Sequence, residues 1–174
     1  MLIPSQLANS AAILFFIQGI LIIQPTHTAK QKTSGTYSHA AFNDIALLAA
    51  IAGLVIIEYN KFDHGGEHFV SPHAIMGLTV YIMVALQATV GITMYFTPGL
   101  YGGEENAKGL YKYHRVWGYL TLLLMLATVC AATFTGFNDT LKIQLWTVVV
   151  ASVLVIVGIA SRIKLDKFGW IAGK

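Results

Sequence analysis

The chain has 174 residues, 56% of them hydrophobic and only 11% charged, with a mean hydropathy of +0.65. A soluble globular domain carries roughly a quarter charged residues, so this composition points to a membrane and away from an ordinary soluble enzyme. The formal charge of +3 comes without a basic run or RNA-binding signature, which sets nucleic acid aside, and the single cysteine, Cys130, excludes an internal disulfide.

In chain order, five apolar stretches each approach the ~20 residues that a helix needs to cross a bilayer. They run over Leu7–Gln24, Ala40–Ile57, His73–Phe96, His114–Phe134 and Ile143–Ser161. Polar, turn-rich stretches separate them at Pro25–Ser38, Glu58–Pro72, Pro98–Tyr113 and Thr135–Lys142. The first is the weakest, because Ser5, Gln6, Asn9 and Ser10 shorten its apolar part. It lacks the basic start and small-residue cleavage site of a signal peptide, so it is expected to be retained. Lipid cannot satisfy exposed backbone groups, so all five are expected to be helices. The expectation is an all-α integral membrane protein with five transmembrane helices, embedded in a lipid bilayer.

Basic residues orient such a bundle. With five spans, one face receives Lys30, Lys32, Lys108, Lys112, Arg115, Arg162, Lys164, Lys167 and Lys174, nine of the eleven, whereas the other holds only Lys61 and Lys142. By the positive-inside rule the C-terminus is cytosolic and the N-terminus lumenal or extracellular. Tyr111, Tyr113, Trp117 and Trp146 fit interfacial aromatic belts.

Three of the six histidines open apolar stretches: His39, His73 and His114. An ionisable side chain at membrane depth is costly and marks a functional site by default. A neutral imidazole in an apolar bundle is also a natural axial ligand for haem iron. His73 and His114 each begin a His-x-x-x-Gly pattern, with Gly77 and Gly118 one turn along on the same face. There a macrocycle or a neighbouring helix could come close, and helix packing is the simpler account of either glycine alone.

Depth sorts the candidates. His39 and His114 fall at the cytosolic face, where two nitrogens could flank one porphyrin. His73 falls at the opposite face, about 30 Å away at 1.5 Å rise per residue. His64 and His68 lie on that side, in a run from Asp63 to His68 that could bind a metal, although Gly65 and Gly66 favour a solvated loop. Lys112 and Arg115 flank His114 and could attract haem propionates or an anionic reductant, or simply anchor the helix. Gln87, Thr79, Thr89 and Thr93 could bond between helices or to a cofactor. Cys130 reads as a small packing residue.

These residues resemble the cytochrome b561 family of transmembrane di-haem electron carriers. The closest block runs from Val70-Ser71-Pro72-His73 through Gly77 to Gln87-Ala88-Thr89-Val90-Gly91. Tyr113-His114-Arg115-Val116-Trp117-Gly118 is similar to the family's last histidine helix, and Ser38-His39 with Glu58-Tyr59-Asn60-Lys61 to its first. The likeness spans about residues 38–134. It implies a b561-like haem-binding bundle there, formed by the second to fourth helices, flanked by an N-terminal helix and cytosolic loop over 1–37 and a C-terminal helix with a basic cytosolic tail over 135–174.

The family core has four histidine helices and two haems, whereas this chain has three, with no counterpart of the second between Lys61 and Val70. The family's pairing of first with third histidine would join His39 to His73, which depth opposes. What remains is haem b, its iron held by His39 and His114, with His73 the candidate for a second haem. The resemblance implies electron transfer from cytosolic ascorbate or a similar reductant to a lumenal radical or ferric ion, which would make the protein a transmembrane reductase. The rival is a haem-free b561-like subunit that stabilises or regulates a larger membrane complex. A homodimer is compatible with either. A diiron hydroxylase needs more clustered histidines than six scattered ones.

Overall fold

The computed structural model describes residues 2–136 and 138–164, and among these the regular structure is entirely helical. Six α-helices follow in order: α1 (Leu2–Ile23), α2 (Ala29–Asp63), α3 (Pro72–Phe96), α4 (Glu104–Ala132), a single turn α5 (Asn138–Leu141) and α6 (Leu145–Ala160). A short 3-10 turn, Pro98–Tyr101, joins α3 to α4. Helices α1 to α4 are long and apolar enough to cross a membrane. Helix α6 has 16 residues, below the roughly 17 to 25 of a spanning helix. Lys167 and Lys174, used above for orientation, lie outside the described residues.

Two helices begin well before the apolar stretches do. Helix α2 starts at Ala29, capped by Thr28, whose hydroxyl accepts from the Gln31 amide at 3.2 Å while the Gln31 side chain accepts from the Thr28 amide at 3.1 Å. This reciprocal pair satisfies two of the donors a helix start leaves open. Helix α4 starts at Glu104, with Glu104 and Glu105 placed where the helix dipole favours negative charge. His39 and His114 therefore sit about ten residues inside their helices rather than at the openings, and residues 29–38 and 104–113 are helix, not loop. The expected 37/38 boundary falls inside α2. Only His73 keeps its expected position, one residue after Pro72, with the Ser71 hydroxyl capping the Ala74 amide at 3.2 Å.

Helices α1 and α2 form a tight antiparallel hairpin built on small residues. Asn9 fills the space at Gly53 and Asn43 the space at Gly19, both in one antiparallel register. Added β-carbons would come within 2.6 Å and 2.5 Å of those asparagines. Ala12, Ala46 and Ala50 are buried nearby, as expected where backbones approach without a hydrophobic drive between helices in lipid. Asn9 also receives the Tyr81 hydroxyl at 2.7 Å, tying α1 to α3. Phe16, Val80, Val84 and Met125 complete a core shared by α1, α3 and α4. The outer surface is apolar, with Leu14, Leu48 and Trp146 exposed, which suits lipid as solvent.

Helix α6 leads the chain back from the far end of α4. The Gln24 side chain, at the end of α1, donates to the Ile159 carbonyl at 3.3 Å, and Lys164 lies 3.3 Å from a His27 ring nitrogen. Residues 162–164 thus share one end of the bundle with the α1–α2 and α3–α4 connections.

Candidate haem-binding site

At that end α1 to α4 enclose a cavity of about 250 Å³, with His39 from α2 and His114 from α4 in its wall. Their ring centroids are 6.4 Å apart and the ring planes meet at 77°. The walls are mostly apolar, including Phe16, Leu47, Val84 and Leu122, while Arg115, Arg162 and Lys164 also line it.

The His39 Nδ1 lies 2.9 Å from the Gly19 carbonyl. A carbonyl can only accept, so Nδ1 carries the proton and Nε2 keeps a lone pair. This is the tautomer that presents Nε2 to a metal, oriented by a backbone partner in the way metal-bound imidazoles usually are. The Asn43 amide donates to the His39 carbonyl at 2.6 Å. Its 3.2 Å approach to Nδ1 brings two donors together, so it braces the ring edge rather than bonding to it.

His114 is held differently. Its Nδ1 is buried and has no hydrogen-bond partner among the described residues. A β-carbon at Gly91 on α3 would come within 3.2 Å of the His114 Cε1 and 3.7 Å of Nε2, so glycine there makes room for the ring. Gln87 donates to the His114 carbonyl at 2.9 Å and fixes α4 against α3. Gly118 faces that same glutamine amide, 3.2 Å from a built β-carbon, and Gly77 faces the Thr128 methyl at 3.8 Å. Both glycines of the repeated pattern therefore serve helix packing.

The residues present fit a haem. A metal–imidazole bond of about 2 Å on each side, with about 1 Å from nitrogen to ring centre, comes to about 6 Å. The observed separation is 6.4 Å. The apolar walls agree with a planar cofactor between the rings.

The other candidates are placed apart. His73 donates from Nδ1 to the Thr128 carbonyl at 2.9 Å, leaving Nε2 its lone pair. His64 turns back onto the Asn60 carbonyl at 2.8 Å and lies 3.7 Å from Asp63, while His68 pairs with Glu58. No group of three or more His, Cys, Asp or Glu among the described residues could hold a metal. Lys112 packs over the Tyr113 ring at 5.0 Å and is absent from the cavity wall that Arg115 joins. Thr79 and Thr89 bond back to their own helix, and Thr93 also meets the Tyr101 hydroxyl at 2.7 Å.

Sequence reasoning passes over Gly19 and Asn43, while Gly91 enters it only through the resemblance and Arg162 and Lys164 only through the charge count. Asn43 is readable in principle, one turn beyond His39 on the same face. Gly19 is not, because neither its carbonyl nor the space it leaves for Asn43 of another helix is marked by a local pattern.

Apolar membrane-length helices around a cavity that two imidazoles face define a multi-pass membrane protein with a histidine-lined cavity inside its bundle. The profile of the eukaryotic cytochrome b561 family matches residues 5–144, and the chain belongs to that family. It is thus a transmembrane cytochrome of a family that binds b-type haem and serves electron transport. No curated protein and no solved structure matches the chain.

Proposed function

We propose that the protein carries electrons between a cytosolic reductant and a lumenal or extracellular acceptor, with His39 and His114 as axial ligands of one haem b. The facing imidazoles, 6.4 Å apart across an apolar cavity, carry this reading. Bound haem supplies the reversible one-electron chemistry of its iron. His39 offers Nε2 without losing a proton, because Gly19 holds the proton on Nδ1. Phe16, Leu47, Val84 and Leu122 exclude water. Such a low-dielectric shell raises the cost of added charge and so tunes the potential. Arg115, Arg162 and Lys164 offer positive charge to propionate carboxylates or to an anionic reductant.

The orientation rests on the same end of the bundle. It carries Lys30, Lys32, Lys108, Lys112, Arg115, Arg162 and Lys164, against Lys61 and Lys142 at the other, which favours the cytosol for the His39 end. Helix α6 is then a short fifth pass. His73 would hold a second haem only with a partner imidazole from elsewhere, so one haem per chain is expected.

A reduced-minus-oxidised spectrum of the purified protein tests this. A b-type α-band and a pyridine haemochrome value of about one haem per chain are expected, lost in His39→Ala and His114→Ala and kept in His73→Ala. A colourless wild-type preparation would instead support the haem-free subunit of a larger complex.

A further inference from the structure

We infer that Gly19 and Asn43 are positioning residues for His39, so that the first helix, which holds no ligand, sets the ligand strength and ring orientation of the haem site. The inference rests on the reading of His39 as an axial ligand.

The two imidazoles of the pair are not equivalent. His39 Nδ1 has a backbone acceptor 2.9 Å away on α1, whereas the buried His114 Nδ1 has no hydrogen-bond partner among the described residues. An acceptor at the far nitrogen fixes the tautomer and makes the imidazole a more basic ligand. A more basic ligand favours ferric over ferrous iron, so this one bond holds the potential down. The acceptor stays in place because α1 and α2 are in close backbone approach at this level. The Asn43 side chain occupies the volume that any residue but glycine would need at position 19, with Nδ2 only 2.5 Å from a built β-carbon. Asn43 is itself anchored by its 2.6 Å bond to the His39 carbonyl. Carbonyl, amide and ring therefore form one interlocked unit, and displacing Asn43 from position 19 moves all three.

A double-mutant cycle on the full-length protein tests the inference, read by haem stoichiometry, midpoint potential and the largest g-value of the ferric haem. That g-value follows the orientation of the ring planes, which a general loosening of the bundle does not shift in a defined direction. Gly19→Ala drives a methyl into Asn43 and displaces the carbonyl from Nδ1. It is expected to keep haem, raise the midpoint potential and move the g-value. A tenfold change in preference for ferrous over ferric iron corresponds to about 59 mV for one electron. The double variant Gly19→Ala with Asn43→Ala removes the collision, so its potential is expected to return toward that of Asn43→Ala alone. Should Gly19→Ala fail to fold, the relieved double variant still has to fold and hold haem.

A haem-loaded Gly19→Ala with unchanged potential and g-value overturns the inference and leaves His39 as a ligand. So does a double variant whose shift is the sum of the single ones, or one that loses haem while Asn43→Ala retains it. A wild-type protein without haem, or an unaltered spectrum in His39→Ala, overturns the ligand reading and this inference together.

Discussion

Gly91 and His114 show how one missing side chain shapes a site. The His114 ring occupies space that any larger residue on α3 would need, with Cε1 3.2 Å from a built β-carbon. Gly91→Leu should therefore displace the ring and abolish haem binding, measured as loss of the α-band at unchanged expression. A normal spectrum in that variant would show that the ring can sit elsewhere. At this scale the sequence is only partly legible. Depth alone brings His39 and His114 to one level, because residue count fixes height along a helix. The repeated His-x-x-x-Gly pattern suggests space beside each histidine, yet Gly77 and Gly118 meet Thr128 and Gln87 of neighbouring helices. The glycine that accommodates an imidazole is on another helix, at a spacing that no local pattern encodes.

Hydropathy registers where a helix leaves lipid and not where it ends, which is why residues 29–38 and 104–113 read as connections and fold as helix. The signal was present in Thr28-Ala29-Lys30-Gln31, whose spacing is that of a capping box. Thr28→Ala should cost about 1 kcal/mol, seen as a lower unfolding temperature in detergent with little change in the haem spectrum. The hairpin makes a sharper prediction through its second glycine. Gly53 faces Asn9, within 2.6 Å of a built β-carbon, and Asn9 in turn accepts from Tyr81. Gly53→Val should destabilise by about 1–3 kcal/mol through overpacking. Because Gly53 lies toward the opposite end from His39, the midpoint potential of that variant should match wild type. A shifted potential would mean that strain travels the length of the hairpin.

For the molecule as a whole, sidedness is the testable quantity. With Cys130→Ala as background, Gly99→Cys in the α3–α4 connection should react with a membrane-impermeant reagent only from the cytosolic side. Glu67→Cys in the α2–α3 connection should react only from the other side. Labelling of both from one side would remove the proposed route for electrons across the bilayer. At this scale the all-helical membrane class is legible in composition alone, since lipid admits few other solutions. The return of α6 to the His39 end follows from the count of apolar stretches, but its contact with α1 does not, because Gln24 meets the Ile159 carbonyl across most of the sequence.

The reach of α1 toward His39 also bears on how the molecule is made. Only twenty residues separate that imidazole from its carbonyl acceptor, whereas His114 follows much later on the ribosome. Since N-terminal parts fold first during synthesis, the first two helices can preset one half of the socket before the other half exists. On the proposed ligation, haem capture is a late event of biogenesis, and a nascent chain released before α4 should hold its hairpin yet remain colourless.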